Sequence, residues 1–425
     1  MKTIIHLFLA LAFCANVTAQ DSSYLAIVGG DIHTVTDGVI MKGVVLCKDS
    51  RILKIGKRVR IPEGAEVIDA SGMQVYPGLI AADASGIVNG RGVDVADSYD
   101  PYKLNLDLAL AGGITTIQNG GMVVKLKHGT IDNVLAGPTS WINLNYSSTS
   151  PAGRRRVREE FSKVRDYMRL HRGWKLTSSM GEDAGDEPEA KGVKEDYLAL
   201  LKGEATARFS ANSLKDLLAT CELLEEYPMQ SVIYGGQEAW ACAGRLGRVN
   251  ARLIITPRSK KWASDDLNRP SGWTIENANI LWEHGVKFAI LPGENSISLM
   301  GLAGRDLMTL PMEAAFAIRG GLQQDAALRA ITIDAAEILG VDHRMGSLEV
   351  GKDANIIVCD GDLFHYRSFV QWAVVDGKLM YDKQKASYFA HIRPRAEEVI
   401  DEMEEVIDEM EEVTNIDAPE VVDNP

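Results

Sequence analysis

Residues 67–80 read VIDASGMQVYPGLI, and the pattern of the chain changes within this stretch. Before Pro77, residues 24–76 contain short apolar runs separated by turn residues, and this pattern predicts a small β-sheet domain. Pro77-Gly78 then breaks the chain, because proline fixes its own backbone angle and lacks the amide donor that a continuing strand uses. Downstream of the break, apolar runs alternate with helical periodicity, so a second architecture begins here.

The region after residue 77 alternates between strand and helix. Four helical segments are each followed by an apolar strand: 104–111 by 115–118, 214–226 by 230–234, 238–246 by 252–255, and 276–284 by 286–290. This alternation is typical of parallel α/β proteins, and its length fits a (β/α)8 TIM-type barrel over residues 77–339. Functional side chains of such barrels lie at the carboxyl ends of the strands, so those positions hold the candidate site.

Short strands return near the other end of the chain. Residues 346–382 again contain brief apolar runs, with turns at Gly351-Lys352-Asp353 and at Asp376-Gly377. Because both ends of the body share this pattern, we predict one small β-sandwich domain composed of residues 20–76 and 340–390.

The first 19 residues have the features of a secretory signal peptide. Lys2 supplies a positive charge, residues 4–15 form an apolar run, and Val17-Thr18-Ala19 provides small residues before a cleavage site. The run is too short to span a bilayer, and the bulky residue in Phe13-Cys14 is unfavourable for lipid attachment. We therefore expect an exported protein, periplasmic or extracellular, with an N-terminal core helix as the alternative interpretation.

The acidity of the chain is concentrated at one end. The formal net charge is −14 over 425 residues, yet residues 396–425 contain 13 Asp/Glu and no Lys, Arg or His, so residues 20–395 are close to neutral. An acidic chain is not expected to bind nucleic acid, because its surface and the phosphates repel each other. We designate residues 391–425 the acidic segment.

The acidic segment contains a heptad repeat, EEVIDEM at residues 397–403 and again at 404–410. Its apolar positions are spaced 4, 3, 4 and 3 residues apart: Val399, Met403, Val406, Met410 and Val413. A solvated acidic helix is the favoured interpretation, and a coiled-coil-like helix that docks on a basic, apolar partner is the alternative. Arg154-Arg155-Arg156 with Arg158 is a basic run on a predicted helix that such a segment could contact.

Four cysteines remain after the predicted cleavage, and their spacing indicates neither a disulfide framework nor a zinc site. They are Cys47, Cys221, Cys242 and Cys359. Widely separated cysteines of this kind are interpreted as small buried thiols.

Three stretches together resemble the amidohydrolase superfamily, most closely its imidazolonepropionase-related branch. They are residues 67–80, the AGGITT of residues 111–116, and residues 319–353, which end in GSLEVGKD. The resemblance extends over residues 24–385 and implies a barrel that hydrolyses non-peptide C–N bonds with one or two zinc or similar divalent ions. Such ions lower the pKa of bound water from 15.7 to roughly 7.

The metal ligands that the resemblance implies are absent from this sequence. The superfamily uses an HxH pair, a Lys or Glu, two further His and a late Asp, whereas no HxH occurs anywhere in the chain. The matching positions hold Asp83, Ser85, Ile142, Ser210 or Asn212, Tyr234 or Gly235, and Gly293. We therefore expect no metal cofactor and a pseudoenzyme: a non-catalytic partner or scaffold of an active homologue, in a homo- or hetero-oligomer.

Two other functions remain open from the sequence. Asp83, Glu238 and Glu294 could perform metal-free acid–base chemistry in a divergent C–N hydrolase or hold a hard cation such as Ca²⁺. The favoured interpretation is that these acids are solvated or paired with Arg91, Arg208 or Arg258. Alternatively, aromatic side chains could form the floor of a small-molecule binding pocket: Tyr234, Trp240, Trp262 and Trp273. Residues 181–194, rich in Gly, Asp and Glu, are predicted to form a lid or a simple loop.

Overall fold

The computed structural model describes residues 23–91, 94–258, 272–299, 304–386 and 388. The predicted signal peptide, Trp262 and the acidic segment lie outside these residues.

The first part of the chain is built from strands and the middle part from both strands and helices. The strands are β1 (Tyr24–Val28), β2 (Asp31–His33), β3 (Val39–Ile40), β4 (Val44–Lys48), β5 (Arg51–Gly56), β6 (Glu66–Asp69), β7 (Gln74–Pro77), β8 (Leu79–Ala81), β9 (Ile114–Asn119), β10 (Met122–Lys125), β11 (Leu135–Pro138), β12 (Trp141–Asn143), β13 (Thr206–Ala211), β14 (Ser231–Gly235), β15 (Arg252–Ile255), β16 (Phe288–Ile290), β17 (Ile356–Cys359), β18 (Val370–Val375) and β19 (Lys378–Asp382). The helices are α1 (Val95–Ser98), α2 (Leu104–Ala111), α3 (Pro151–Ser179), α4 (Glu195–Lys202), α5 (Leu214–Glu226), α6 (Ala243–Arg248), α7 (Asn277–Glu283), α8 (Leu310–Arg319), α9 (Gln324–Ala330) and α10 (Ile333–Leu339).

Two sheets pack together, one made of early strands and the other made of strands from both ends of the chain. One sheet has the order β5-β4-β1-β6, and the other has the order β19-β18-β17-β7-β2-β3. The late strand β17 pairs antiparallel with the early strand β7, with Ile357 opposite Tyr76. Apolar side chains from the two sheets form one common core, which includes Leu25, Ile27, Val45, Ile52, Ile356, Val358 and Val374. Burial of these side chains from distant parts of the sequence holds the two ends of the chain together.

The strands between these ends form parallel ladders. β12 to β16 make a five-stranded sheet in which every neighbouring pair is parallel, and β8 pairs parallel with β9. Helices cover these strands, and β15 and β16 are almost entirely buried, as expected for sheets with covered faces. Within the described residues the strand ladders do not join into one ring, although Ser85 N donates to Asn295 O at 2.7 Å and links the chain after β8 to the chain after β16.

The predicted helices and strands of this region agree with the structure in most cases. The helices at 104–111 and 214–226 and the strand at 252–255 have the predicted bounds. The predicted helix at 238–246 is instead a short 3-10 helix, Ala239–Cys242, followed by α6. The turn at Asp376-Gly377 joins β18 to β19 with φ angles of 50° and 71°, the left-handed conformation that Asp-Gly hairpin turns adopt.

A buried ionic cluster connects β10 to the strands from the far end of the chain. Asp376 accepts hydrogen bonds from Lys125 Nζ at 2.6 Å and has an ion pair with Lys127 Nζ at 2.5 Å. Asp353 accepts from Arg344 Nη2 at 2.8 Å and lies 4.0 Å from Lys125 Nζ. Lys125 is 0% exposed. Burial lowers the pKa of Lys125, and the hydrogen bond that Lys125 donates to Asp376 opposes that shift.

Cys47, Cys221, Cys242 and Cys359 are buried, free thiols in the structure, as the sequence predicts. Burial raises the pKa of Cys47 to about 12 and that of Cys242 to about 11. None of the helices in the described part of the chain is both long and apolar enough to span a membrane.

Candidate functional site

Polar side chains meet at the carboxyl ends of the parallel strands. Asp83 follows β8, Asn143 ends β12, Arg208 lies on β13, Tyr234 lies on β14 and Asn295 follows β16. Parallel strands bring their carboxyl ends to one edge, so residues that are far apart in the sequence come together here.

The carboxylate of Asp83 has partners on both oxygens. Asn295 Nδ2 donates to Asp83 Oδ2 at 3.2 Å, and Arg208 Nη2 lies 3.7 Å from the same oxygen. With its side-chain amide oriented to suit both neighbours, Gln118 donates to Asp83 Oδ1 at 3.3 Å and accepts from Gly121 N at 3.1 Å. The negative charge of Asp83 is therefore opposed by a guanidinium and held by two amides.

Arg208 occupies this position because of the alternation along β13. Ala207, Phe209 and Ala211 are buried, whereas Arg208 and Ser210 point to the opposite, more accessible side of the strand. The guanidinium carbon lies 5.4 Å from the centre of the Trp141 ring on one neighbouring strand and 5.2 Å from that of Tyr234 on the other. Both distances are within the range of cation–π attraction.

The Arg208 guanidinium is incompletely hydrogen bonded. Nη1 donates to Asn143 Oδ1 at 3.4 Å, a long contact, and the buried Nε has no acceptor among the described groups. A buried donor without an acceptor costs free energy. The arrangement therefore favours any acceptor that can approach Nε.

Tyr234 lies in the same electrostatic environment. Its pKa is raised by burial and, to a smaller extent, by the negative charges of Asp83 and Glu294, while Arg208 acts in the opposite direction. The side chain is therefore a neutral phenol at pH 7.

The other two predicted carboxylates have different surroundings. Glu238 is buried, and its Oε2 accepts the backbone N–H of Leu214 at 2.5 Å, at the start of α5. Glu294 is exposed, and its backbone N–H donates to Arg305 O at 3.0 Å. The negative charges of Asp83 and Glu294 both raise the pKa of Tyr234. The carboxylate of Glu238 instead accepts a backbone N–H that has no partner within the first turn of α5.

The three predicted arginine partners also differ. Arg208 pairs with Asp83, as described, but Arg258 pairs with Glu313, which the sequence did not indicate as a site residue. Arg258 N donates to Glu313 Oε1 at 2.5 Å, and Arg258 Nε donates to Oε2 at 3.2 Å. Burial raises the pKa of Glu313, and the hydrogen bonds and charge of Arg258 oppose that shift. Arg91 is exposed.

The predicted aromatic floor is only partly described. Trp240 Nε1 donates to Gly272 O at 2.8 Å, and Trp273 Nε1 donates to Pro257 O at 3.0 Å. These bonds hold the two indoles against the backbone at Gly272 and at Pro257. Tyr234 instead contacts the guanidinium of Arg208.

The donor groups at the strand ends do not fit the divalent metals that the resemblance implies. Ser85 Oγ donates to Asn295 Oδ1 at 3.0 Å, and Asp83 is paired with a cation. The other matching positions offer a hydrocarbon side chain, a hydroxyl, an amide, a neutral phenol or no side chain: Ile142, Ser210, Asn212, Tyr234, Gly235 and Gly293. Zinc sites need imidazole, thiolate or carboxylate ligands. Throughout the residues that the structure describes, no three His, Cys, Asp or Glu side chains are grouped for metal binding.

Comparison with known proteins gives matches to an amidohydrolase family model, an imidazolonepropionase and an adenine deaminase. Residues 256–387 match the sequence model of the Amidohydrolase family. The chain is 22% identical over 385 residues to an imidazolonepropionase from Mesorhizobium japonicum, covering 76% of this chain and 87% of that protein. A shorter match, 38% identical over 72 residues, covers 17% of this chain and 12% of adenine deaminase 1 from Desulfotalea psychrophila.

The solved structure of an amidohydrolase from Thermotoga maritima matches with a TM-score of 0.63 and 23% identity, covering 84% of this chain and all of that one. These matches support the amidohydrolase superfamily, and the structural match implies a TIM-barrel-type α/β fold.

Proposed function

We propose that this chain is an exported protein of the amidohydrolase superfamily that has lost metal-dependent catalysis and acts as the partner or scaffold of an active homologue. Superfamily members hydrolyse non-peptide C–N bonds with bound metal. The observation that carries the proposal is the pairing of Arg208 with Asp83 at the strand ends. Export rests on the first 19 residues of the sequence.

Arg208 cannot take the place of a metal ligand in the family chemistry. A guanidinium has five donors, no lone pair to bind a metal and no proton that it releases near neutral pH. It neutralises Asp83 without acting as a Lewis acid on water, and its positive charge repels an approaching divalent ion. The guanidinium therefore supplies a positive charge beside Asp83 but cannot activate a water molecule as a metal ion does.

The alternative of a divergent hydrolase has less support. Such an enzyme needs a carboxylate that is free to accept a proton from water. Asp83 is engaged by Arg208, Asn295 and Gln118, and Glu238 accepts a backbone N–H of α5. Glu294, the third candidate, is exposed to solvent.

The metal content of the purified protein tests the proposal. After incubation with zinc and removal of the excess, we expect well below about 0.1 equivalents of zinc per chain, because loss of ligands abolishes affinity. Elemental analysis measures the metal, and the same sample is assayed for hydrolysis of amides, ureas and dipeptides. One equivalent of zinc that is removed by a chelator together with a hydrolytic activity would contradict the proposal.

A second function, the binding of a small carboxylate in the barrel mouth, is favoured by Arg208. Its Nε has no acceptor among the described groups, and the rings of Trp141 and Tyr234 lie beside the guanidinium. A carboxylate can accept two hydrogen bonds from a guanidinium, and a flat apolar group attached to it can pack on the rings.

Replacing Arg208 with glutamine tests this second function. We expect an aromatic carboxylic acid found by a thermal-shift screen to bind the Arg208→Gln variant at least about tenfold more weakly, because a charge-assisted pair is lost. Isothermal titration calorimetry measures the affinity. Arg91→Gln, at an exposed position, is the matched control and should bind as the parent does. Equal binding by Arg208→Gln would reject this function.

A further inference from the structure

Helix α3 is much longer than the surface on which it packs. Its 29 residues correspond to about 43 Å at 1.5 Å per residue. The first half buries Val157, Phe161 and Val164, and the Phe161 ring stacks on Tyr227 at 5.1 Å. Every buried residue of α3 precedes residue 165, so the second half is held by few apolar contacts.

The second half of α3 presents a basic and apolar face. Arg165, Arg169, Arg172 and Leu176 follow one another at intervals of 4, 3 and 4 residues, which places them on one side of a helix, and Met180 continues the row. Leu176 is 57% exposed and Met180 is 64% exposed. We designate these five residues the open face of α3.

The loop after α3 covers a different side of the helix. Trp174 Nε1 donates to Gly185 O at 3.1 Å, and His171 Nε2 lies 3.0 Å from Glu187 Oε1. Trp174 and His171 are about half a turn around the helix from Arg172 and Leu176. The loop therefore lies away from the open face.

Beyond Arg165, the charged side chains near the open face have weaker partners than those at the start of the helix. Arg154 pairs with Asp216 at 2.9 Å, and Arg158 pairs with Glu226. In the second half, Arg165 shares Glu226 with Arg158 at the longer distance of 3.8 Å, and its guanidinium carbon lies 4.9 Å from the centre of the Tyr227 ring. Arg169 pairs with its helical neighbour Asp166 at 3.3 Å, an exposed contact of little energetic value. Among the described residues, Arg172 and Lys175 have no ion pair. The helix as a whole carries nine Lys/Arg and three Asp/Glu.

We propose that the open face of α3 binds residues 396–413 of the acidic segment of this chain. That stretch contains ten acidic residues and no basic ones, and it belongs to a chain whose remaining body is close to neutral. Its apolar residues are spaced 4, 3, 4 and 3, and the residues of the open face are spaced 4, 3, 4 and 4, so the two rows agree over their first three intervals. Helical packing on this face pairs Leu176 and Met180 with the apolar row and places the flanking acids beside Arg169, Arg172 and Lys175.

The experiment is carbodiimide cross-linking of the full-length protein, which joins a lysine amine to a carboxylate only where they are in contact. We expect mass spectrometry to find Lys175 linked to an acid within residues 397–412. The yield should fall about tenfold in the double variant Arg169→Glu, Arg172→Glu and also in about 1 M salt, because both changes weaken attraction between exposed charges.

A matched variant tests specificity. Arg58→Glu with Arg60→Glu reverses two exposed arginines between β5 and β6, away from α3, and should leave the yield unchanged. Thermal unfolding of both double variants verifies that they are folded. Absence of the Lys175 link, or a yield that does not respond to reversal of Arg169 and Arg172, would overturn the proposal.

Discussion

Replacing Asp376 with asparagine is expected to lower the free energy of unfolding by about 3–5 kcal/mol, one of the two largest effects in the molecule. Asp376 is the counter-ion of both Lys125 and Lys127, and its removal leaves two nearly buried ammonium groups with less compensation. Asparagine tolerates the left-handed backbone conformation of residue 376, so the loss reports the charge and not the turn.

Urea denaturation measures this effect as a lower midpoint at an unchanged slope. Glu66→Gln, at an exposed strand position, is the control and should change the stability by less than about 0.5 kcal/mol. Adding Lys125→Met to Asp376→Asn removes an uncompensated cation and should recover part of the loss. A loss below about 1 kcal/mol in the single variant would show that the cluster is hydrated or that the lysines give up their protons.

Replacing Arg258 with glutamine is expected to destabilise the protein by about 3 kcal/mol at pH 8, because it leaves the fully buried Glu313 without its cation. Burial already raises the pKa of Glu313 above the ordinary value of 4.5, and loss of Arg258 raises it further. A carboxyl group whose pKa is higher in the folded state holds its proton more tightly there. The stability of the variant is therefore retained below about pH 4.5 and declines as the pH rises to the folded-state pKa.

Denaturation of the parent and the variant between pH 4.5 and pH 8 measures this dependence. The difference between them should widen with rising pH, by about 1.4 kcal/mol for each unit by which the pKa of Glu313 increases. The double variant Arg258→Gln, Glu313→Gln removes the titrating group, and its deficit should be independent of pH. A constant deficit in the single variant would mean that Glu313 does not titrate within this range.

Local patterns were sufficient to predict many of the helices and strands. The apolar spacing in residues 104–111 and 214–226 sets both helices, and the unbroken apolar run at 252–255 predicts a buried strand. The stretch at 238–246 has a helical composition, but its first turn is tightened into a 3-10 helix. Local spacing does not distinguish the two forms over a few residues.

The partners of the site residues were less accessible from the sequence. Arg208 was one of three candidates for pairing with the acids, and contact between strands that are distant in the sequence places it beside Asp83. A glutamate that follows a strand can face the candidate site or accept a hydrogen bond from a nearby helix. Glu238 accepts the backbone N–H of Leu214 on α5, a contact that no local sequence pattern encodes. Glu313 and Lys125 were missed, although a charged residue within an apolar helix or strand is a usable signal of a buried pair.

The pairing of β7 with β17 has a consequence for how the protein is made. The six-stranded sheet takes three of its strands from residues after 355, so an unfinished chain lacks half of that sheet. While the chain is being synthesised, β7 has no late strand to pair with, and its free edge is open to other chains. Completion of this sheet is therefore one of the last events in the biogenesis of the molecule, and a premature stop before residue 356 exposes the part of the sheet already formed.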